Sequence, residues 1–267
     1  MIKDGKKGAR LGQHFLKDTS ALDAIISAGE IKKGERILEI GPGAGALTER
    51  LLDAGAVVVA VEKDEMLCLG LREKFAGEIK NGSLTLAEED IIGFEPDKLD
   101  LSEEQYKIIA NIPYYITGQI IRLALSKWPA PEKAVLLVQK EVAERIVAKD
   151  GKESVLSISV KAFGKPSVLR TVKAGAFSPP PKVDSAILVI SDITKTKFGE
   201  KLSEEKFFEI LKAGFAHKRK LLVSNIKAVI QKPDEAVRAC KVPEKARPEE
   251  LSMGDWKCLA EYGQDER

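Results

Sequence analysis

The sequence predicts an α/β protein: a doubly wound sheet of mainly parallel strands, followed by a small all-helical C-terminal domain. Three observations carry that expectation. Short apolar segments rich in β-branched residues alternate with stretches of helical periodicity as far as about residue 190. A glycine-rich turn, "EIGPGAGALT" from Glu39 to Thr48, separates the first of these segments from the helix after it. Beyond "DITKTKFGE" only helical patterns remain.

Taken in order, "ERILEI" (35–40), "VVVAVE" (57–62), "LTLAEE" (84–89), "YKIIAN" (106–111) and "AVLLVQ" (134–139) read as strands. Several are almost continuously apolar, which suits parallel strands covered on both faces. "ALTERLLDAG", "DEMLCLGLREKF" and "TGQIIRLALSKW" lie between them with apolar residues at helical spacing. Right-handed crossovers then bring the carboxyl ends of the parallel strands to one edge. "SVLRTVK" (167–173) and "SAILVIS" (185–191) flank the Pro-rich "FSPPPKVD" and are expected to pair antiparallel as an edge hairpin. The helices "SEEKFFEILKAGF", "KRKLLVSNIKAVI" and "RPEELSMGDWKCLAEY" follow, the first opened by Ser203 ahead of two glutamates. This sets a boundary near residue 195, with an α/β domain over 1–195 and a helical domain over 196–267.

With 267 residues, 44% apolar and 31% charged, the chain has the composition of a globular protein with a sizeable core. The opening "MIKDGKKGAR" lacks the apolar segment of a secretion signal, and the longest apolar run, "AGAVVVAV", is too short to span a bilayer. A cytoplasmic protein with no membrane partner is the expectation. Cys68, Cys240 and Cys258 lie far apart without a C-x-x-C pair, so free thiols are expected rather than a disulfide or a zinc site. The two histidines, His14 and His217, argue against a metal centre, and none is expected.

The net charge of +2 says less than its distribution. Lys3, Lys6, Lys7, Arg10 and Lys17 crowd the N-terminus against Asp4 and Asp18. Between Ser154 and Val183 there is no acidic residue, while Lys161, Lys165, Arg170, Lys173 and Lys182 all fall inside. "HKRK", from His217 through Lys218 and Arg219 to Lys220, is a third cluster. Together they suggest a polyanion-binding surface, although any one patch alone also fits a solvated face.

Chemistry-bearing residues gather at the strand ends. Gly41, Gly43 and Gly45 permit a tight turn and close backbone approach, and the loop also reads as G-x-G-x-x-A. Alone it fits a nucleoside cofactor, a phosphate-bearing one or a plain structural turn. Glu62, in "VEKD", could hold both hydroxyls of a ribose, in an NAD site as well as any other. Asp90 could accept from an adenine amino group or simply cap a strand end. Asn111 in "NIPYYIT" is ordinary turn chemistry by itself. With Ile112, Pro113 and Tyr114 it could instead form an aromatic-walled pocket with acceptors on its floor, an adenine-binding constellation with no obvious hydride acceptor site.

With "GQHFL" (12–16), "EIGPGAG" (39–45), "VEKD" (61–64), "NIPYYIT" (111–117) and "FSPPPKVDSA" (177–186) in this order, the chain resembles the KsgA family of small-subunit ribosomal RNA adenine N6,N6-dimethyltransferases. The resemblance runs from about Leu11 to "RPEELS". It implies a Rossmann-like methyltransferase sheet, S-adenosylmethionine as methyl donor, and N6,N6-dimethyladenosine formed on two adjacent adenines near the 3′ end of 16S rRNA. It also implies that His14 and Leu16 contact the donor and that Gly41, in the loop shared with Gly43 and Gly45, lies along its methionine portion. Glu62 would hold the ribose and Asp90 the adenine, and Asn111 would sit between donor and target base. Family members carry Asn or His at the position of His14, so it is not read as a catalytic base. "GFAHKRKLL" stands where relatives often have two arginines, with Lys218 replacing one as a point charge.

Within that resemblance Asn111 and the Ile112 carbonyl would accept the N6–H groups, Pro113 would hold them in place, and Tyr114 would stack on the base. Phe177 is expected to form the second stacking wall or, equally, to be a core aromatic. Lys6, Lys7, Arg10, Lys161, Lys165, Arg170, Lys182, Lys218, Arg219 and Lys220 are the expected RNA contacts. The expected partner is small-subunit rRNA in a partly assembled subunit, with the protein a monomer and a participant in subunit biogenesis. Two other readings stay open: a large-subunit rRNA adenine methylase of the resistance type, and an assembly factor that binds rRNA without methylating it.

Overall fold

The apolar runs become strands and the periodic stretches helices in a computed structural model that describes residues 14–103, 105–148, 152–195, 198, 202–217 and 219–265. Two compact units form. One holds the described residues up to Ala143 together with Lys165–Thr194, and the other holds Glu144–Gly164 and the described residues from Lys195 onward.

In the first unit β1 (Phe15–Leu16) leads into α1 (Thr19–Gly29), then β2 (Arg36–Ile40), α2 (Ala46–Asp53) and β3 (Val57–Glu62). After these come α3 (Glu65–Lys74), α4 (Ala76–Asn81), β4 (Leu84–Glu88), β5 (Tyr106–Asn111), α5 (Thr117–Ser126) and β6 (Lys133–Gln139). The chain leaves through α6 (Lys140–Val147) and α7 (Val155–Phe163) and returns as β7 (Lys165–Val172), β8 (Phe177–Ser178) and β9 (Ser185–Ser191). Seven strands make one sheet in the order β4-β3-β2-β5-β6-β9-β7. The pairs from β4 to β6 are parallel, and β9 runs antiparallel to both β6 and β7. The hairpin expected at one edge is therefore present.

The core explains why the strands read as apolar runs. Ile37, Val58, Ile109 and Leu137 are buried against Leu22 and Ile25 of α1 and Leu47 and Leu51 of α2. Each such side chain contributes about 1.5–3 kcal/mol by leaving water. Local signals fix the helix starts: Asp18 accepts from the Ala21 N–H at 3.0 Å, and Asp64 from the Met66 and Leu67 N–H groups at 3.0 and 3.2 Å. The sheet reverses direction between β2 and β5, because β3 and β4 build outward on one side and the chain then crosses to the other. Ligands in such sheets lie outside the carboxyl ends at that reversal. β1 pairs antiparallel with β8, Leu16 opposite Phe177, so the segment before α1 is tied to the Pro-rich loop.

The second unit is helical: α7, then α8 (Glu204–Gly214), α9 (Leu222–Ile226), α10 (Pro233–Ala239) and α11 (Met253–Asp265). Ser203 caps α8 by accepting from the Lys206 N–H at 3.2 Å. Trp256 of α11 stacks on Phe215 with centroids 5.3 Å apart. The stretch expected as one helix around "KRKLLVSNIKAVI" is helical only over Leu222–Ile226. There the buried Asn225 amide is committed to the Gly214 and His217 carbonyls at 2.6 and 3.1 Å.

Two expectations are corrected here. A single boundary near residue 195 misses Glu144–Gly164, which belongs to the helical unit because Phe163 packs on Phe198 and Phe208 at 5.5 and 5.9 Å. Cys240 and Cys258 are not free thiols: the residue capping α10 and one in α11 lie 5.7 Å apart at Cα and form a disulfide. Cys68 is the free, buried thiol among the described residues. No described helix is long and apolar enough to cross a membrane.

Candidate active site

At the sheet reversal lies a cleft of about 570 Å³ walled by the ends of β1 through β5. Each strand end contributes one chemical feature. After β2, the turn from Gly41 to Gly45 carries left-handed backbone at all three glycines, with φ of 66°, 60° and 79°. Gly43 has a second reason to be glycine: a Cβ there would sit 2.9 Å from the Phe15 ring. At Gly45 a Cβ would meet Phe75 at 2.5 Å, so the helix α2 can start only from a bare backbone.

At the end of β3, Glu62 is buried and its carboxylate accepts three backbone N–H groups: Gly43 at 3.2 Å, Lys63 at 2.9 Å and Asp64 at 3.0 Å. It thereby ties the glycine turn to the neighbouring strand and keeps its oxygens in one place. At the end of β4, Asp90 accepts from the Ile92 N–H at 3.0 Å and from Lys63 Nζ at 2.7 Å. The Lys63 ammonium, and after it the Ile92 N–H, hold its carboxyl below the usual range. Both halves of that pair are largely exposed, so it steers the carboxylate more than it stabilises the fold.

At the end of β5, the Asn111 side-chain amide donates to the His14 carbonyl at 3.2 Å. Only the NH₂ can make that bond, so Oδ1 is left as an acceptor on a residue that lines the cleft. The Ile112 N–H donates to Leu137 of β6 at 3.2 Å, and Pro113 holds φ at −55°. Tyr114 is half-buried, with its hydroxyl 2.6 Å from Ser185 Oγ on β9 and its ring stacked on His14 at 5.7 Å. Burial pushes that hydroxyl's pKa up, the Ser185 bond pulling the other way. His14 Nδ1 lies 2.8 Å from the Pro179 carbonyl, so the imidazole is held by the Pro-rich loop.

The structure thus brings His14, Leu16, Gly41, Gly43, Glu62, Asp90, Asn111, Ile112, Pro113 and Tyr114 around one cleft, with Gly45 behind the turn. Of the two places expected for Phe177, stacking wall or core, the structure has it in the core. It is 4% exposed and packed in the core opposite Leu16. Sequence reasoning passed over Glu39, Lys63, Met66 and Tyr115, which also line the cleft. Glu39 had a visible signal, a carboxylate between the apolar Leu38 and Ile40 just before the glycines. Tyr115, beside Tyr114, is 74% exposed at the cleft.

The basic residues fare differently. Lys161 is 2.5 Å from Glu153, Lys165 2.7 Å from Asp192, and Lys173 2.8 Å from Asp184. Arg170 donates to Ser20 Oγ at 3.0 Å. Lys182, Arg219 and Lys220 are exposed. Lys6, Lys7, Arg10 and Lys218 lie outside the described residues.

Comparison with known proteins gives a consistent picture. A family model described as ribosomal RNA adenine dimethylase matches residues 5–265. A "Ribosomal RNA small subunit methyltransferase A" of Dehalococcoides mccartyi strain CBDB1 is 41% identical, over 93% of this chain and 86% of that protein. Its namesake from Thermosynechococcus vestitus is 38% identical over 94% and 95%. Among solved structures, a dimethyladenosine transferase from Plasmodium falciparum superposes with a TM-score of 0.76 at 30% identity, covering 92% of this chain and 96% of that one. The 23S rRNA methyltransferase ErmE gives 0.75 at 25% identity, over 93% and 98%. The chain belongs to the ribosomal RNA adenine dimethylase family and is an S-adenosylmethionine-dependent methyltransferase.

Proposed function

We propose that this protein methylates N6 of two adjacent adenines near the 3′ end of small-subunit rRNA, to N6,N6-dimethyladenosine, acting as a cytoplasmic monomer on a partly assembled subunit. The observation that carries the proposal is Asn111, whose amide is turned by the His14 carbonyl so that Oδ1 remains an acceptor at the sheet reversal.

The residues fit the methyl donor. The turn from Gly41 to Gly45 lines the cleft with backbone free of side chains at Gly41 and Gly43, and Glu62 presents a fixed carboxylate for a ribose diol. Strand order sets the polarity of binding: Asp90 at β4 for the donor adenine, Glu62 at β3 for the ribose, the Gly41 turn at β2 for the methionine half, and Asn111 at β5 for the target. The donor supplies an activated methyl on a sulfonium.

The protein's own task is the amino group. The N6 lone pair of adenine is delocalised into the ring and is a poor nucleophile. Asn111 Oδ1 and the Ile112 carbonyl accept its two N–H bonds, draw the nitrogen toward a tetrahedral shape, and hold it in line for attack. Pro113 keeps the two acceptors aimed together, and Tyr114, fixed by Ser185 and His14, gives the base a stacking face worth about 1–3 kcal/mol. The nitrogen loses its proton after the methyl arrives, so no strong base is required. The target must be unstacked to enter.

The small-subunit substrate is favoured by relatives at 36–41% identity that carry that name, against 25% for the large-subunit enzyme with a similar fold. The test is transfer from labelled S-adenosylmethionine to undermethylated small subunits, with nucleosides separated afterwards. Label in N6,N6-dimethyladenosine is expected. Transfer to large-subunit RNA instead would overturn the substrate assignment, and tight subunit binding with no transfer would leave an assembly factor.

A further inference from the structure

The helical unit contains a buried amide whose cost packing does not explain. Asn225 of α9 is 5% exposed, and its NH₂ group donates to the Gly214 carbonyl at 2.6 Å and to the His217 carbonyl at 3.1 Å. Carbonyl partners can be served only by the NH₂, which fixes the orientation of the amide. Its Oδ1 makes no hydrogen bond. A half-satisfied polar side chain in a core costs stability that an apolar one would not.

What the amide holds is the exit from α8. Gly214 ends that helix, and its backbone is pinned from the other side, since a Cβ there would lie 2.3 Å from the Trp256 ring. From this fixed point the amide reaches on to His217, whose carbonyl also accepts the Lys220 N–H at 2.9 Å. Beyond Lys220, the buried Leu222 donates its N–H to the Ala246 carbonyl at 2.9 Å. Arg219 and Lys220 are exposed and are carried between these anchors, the His217 carbonyl and the Leu222 N–H. Lys165 and Lys173 are met by acids, but no acid pairs with Arg219 or Lys220 among the described residues.

A cation on a slack loop must be ordered when it meets a phosphate, and the lost entropy subtracts from affinity; a loop already fixed avoids that loss. We propose that Asn225 is a positioning residue for the substrate, holding the loop that carries Arg219 and Lys220 so that both cations are set for RNA phosphates before the RNA arrives. The inference rests on the reading of this protein as an enzyme that acts on small-subunit rRNA.

The test is binding to undermethylated small ribosomal subunits across a range of monovalent salt. It compares the intact wild-type protein, Asn225→Ala, Arg219→Ala with Lys220→Ala, and all three changes together. Losing the two cations should lower the salt slope by about 2. Asn225→Ala should weaken binding about 10-fold, and the same change in the background without the cations should cost almost nothing, because nothing is left to position. A loss that persists undiminished in that background is a general defect of the unit and overturns the proposal. Unchanged binding by Asn225→Ala, or by the variant without the cations, overturns it too. Failure of the wild-type protein to bind small subunits overturns the substrate reading and this inference with it. Hydrogen exchange of the unbound wild-type protein decides the question even if Asn225→Ala does not fold. The Lys220 and Leu222 amides should exchange slowly, and free exchange that slows only when subunits are added would overturn the proposal.

Discussion

The cleft at the sheet reversal and the acid-free stretch from Ser154 to Val183 handle charge in opposite ways. In the cleft, Glu62 is fixed by three backbone N–H groups, all within two residues of it or in the adjoining glycine turn. In the basic stretch, the cations are met by acids from outside the run: Glu153 immediately before it, Asp184 immediately after it, and Asp192. The difference teaches that a site built from backbone turns is already implied by short motifs. A charge patch is a property of the folded surface, and partners one residue beyond the run neutralise much of it.

The comparison breaks most visibly at Asn111. Asn111→Ala removes the acceptor while leaving the glycine turn and Glu62 in place, so methyl transfer should fall by about 100-fold or more, with a much smaller change in donor affinity. Equal losses in both would make Asn111 a donor ligand only. Single-turnover transfer alongside equilibrium donor binding separates the two.

A pH effect comes next. The folded-state pKa of Glu39 is raised to about 8 from the ordinary 4.5. The stability it lends is therefore fully present below about 4.5 and is lost as pH rises through 8, a change on the order of a few kcal/mol. Thermal unfolding of the ligand-free protein between pH 5 and 9 should show a decline on this account that Glu39→Gln flattens. A profile shared by both proteins would assign the decline elsewhere.

Gly43→Ala should cost about 1–3 kcal/mol, since alanine must adopt φ near 60° and crowd Phe15. Its donor affinity should drop while binding to RNA does not, which filter binding against both ligands would reveal. The smallest effects concern the basic residues. Lys182→Ala should reduce the salt slope of RNA binding by about 1, whereas Lys165→Ala, already on Asp192, should change it less. Equal slopes would mean that the Lys165 pair opens to bind phosphate.

The sheet was legible because parallel strands buried on both faces are apolar end to end, as "VVVAVE" is, and because glycines at 41, 43 and 45 mark a turn that nothing else can make. The hairpin of β7 and β9 followed from the short Pro-rich link. What escaped depends on contacts between distant segments. Glu144–Gly164 joins the helical unit through Phe163, whose neighbours Phe198 and Phe208 are remote in sequence. Cys240 and Cys258 meet because α10 and α11 pack side by side. Phe177 sits in the core because β8 pairs with a two-residue strand before α1. The residues that line the cleft were visible as motifs, but the orphaned oxygen of Glu39 exists only once burial has removed every donor from it.

The central claim is that one cleft holds the donor across β4, β3 and β2 and presents Asn111 Oδ1 to an adenine amino group. A crystal structure with S-adenosylhomocysteine and adenosine bound tests it most directly. The account predicts the donor ribose on Glu62, and the adenosine N6 about 3 Å from Asn111 Oδ1 with its ring on Tyr114. An adenosine bound with N6 turned away from Asn111, or a donor ribose off Glu62, would contradict it.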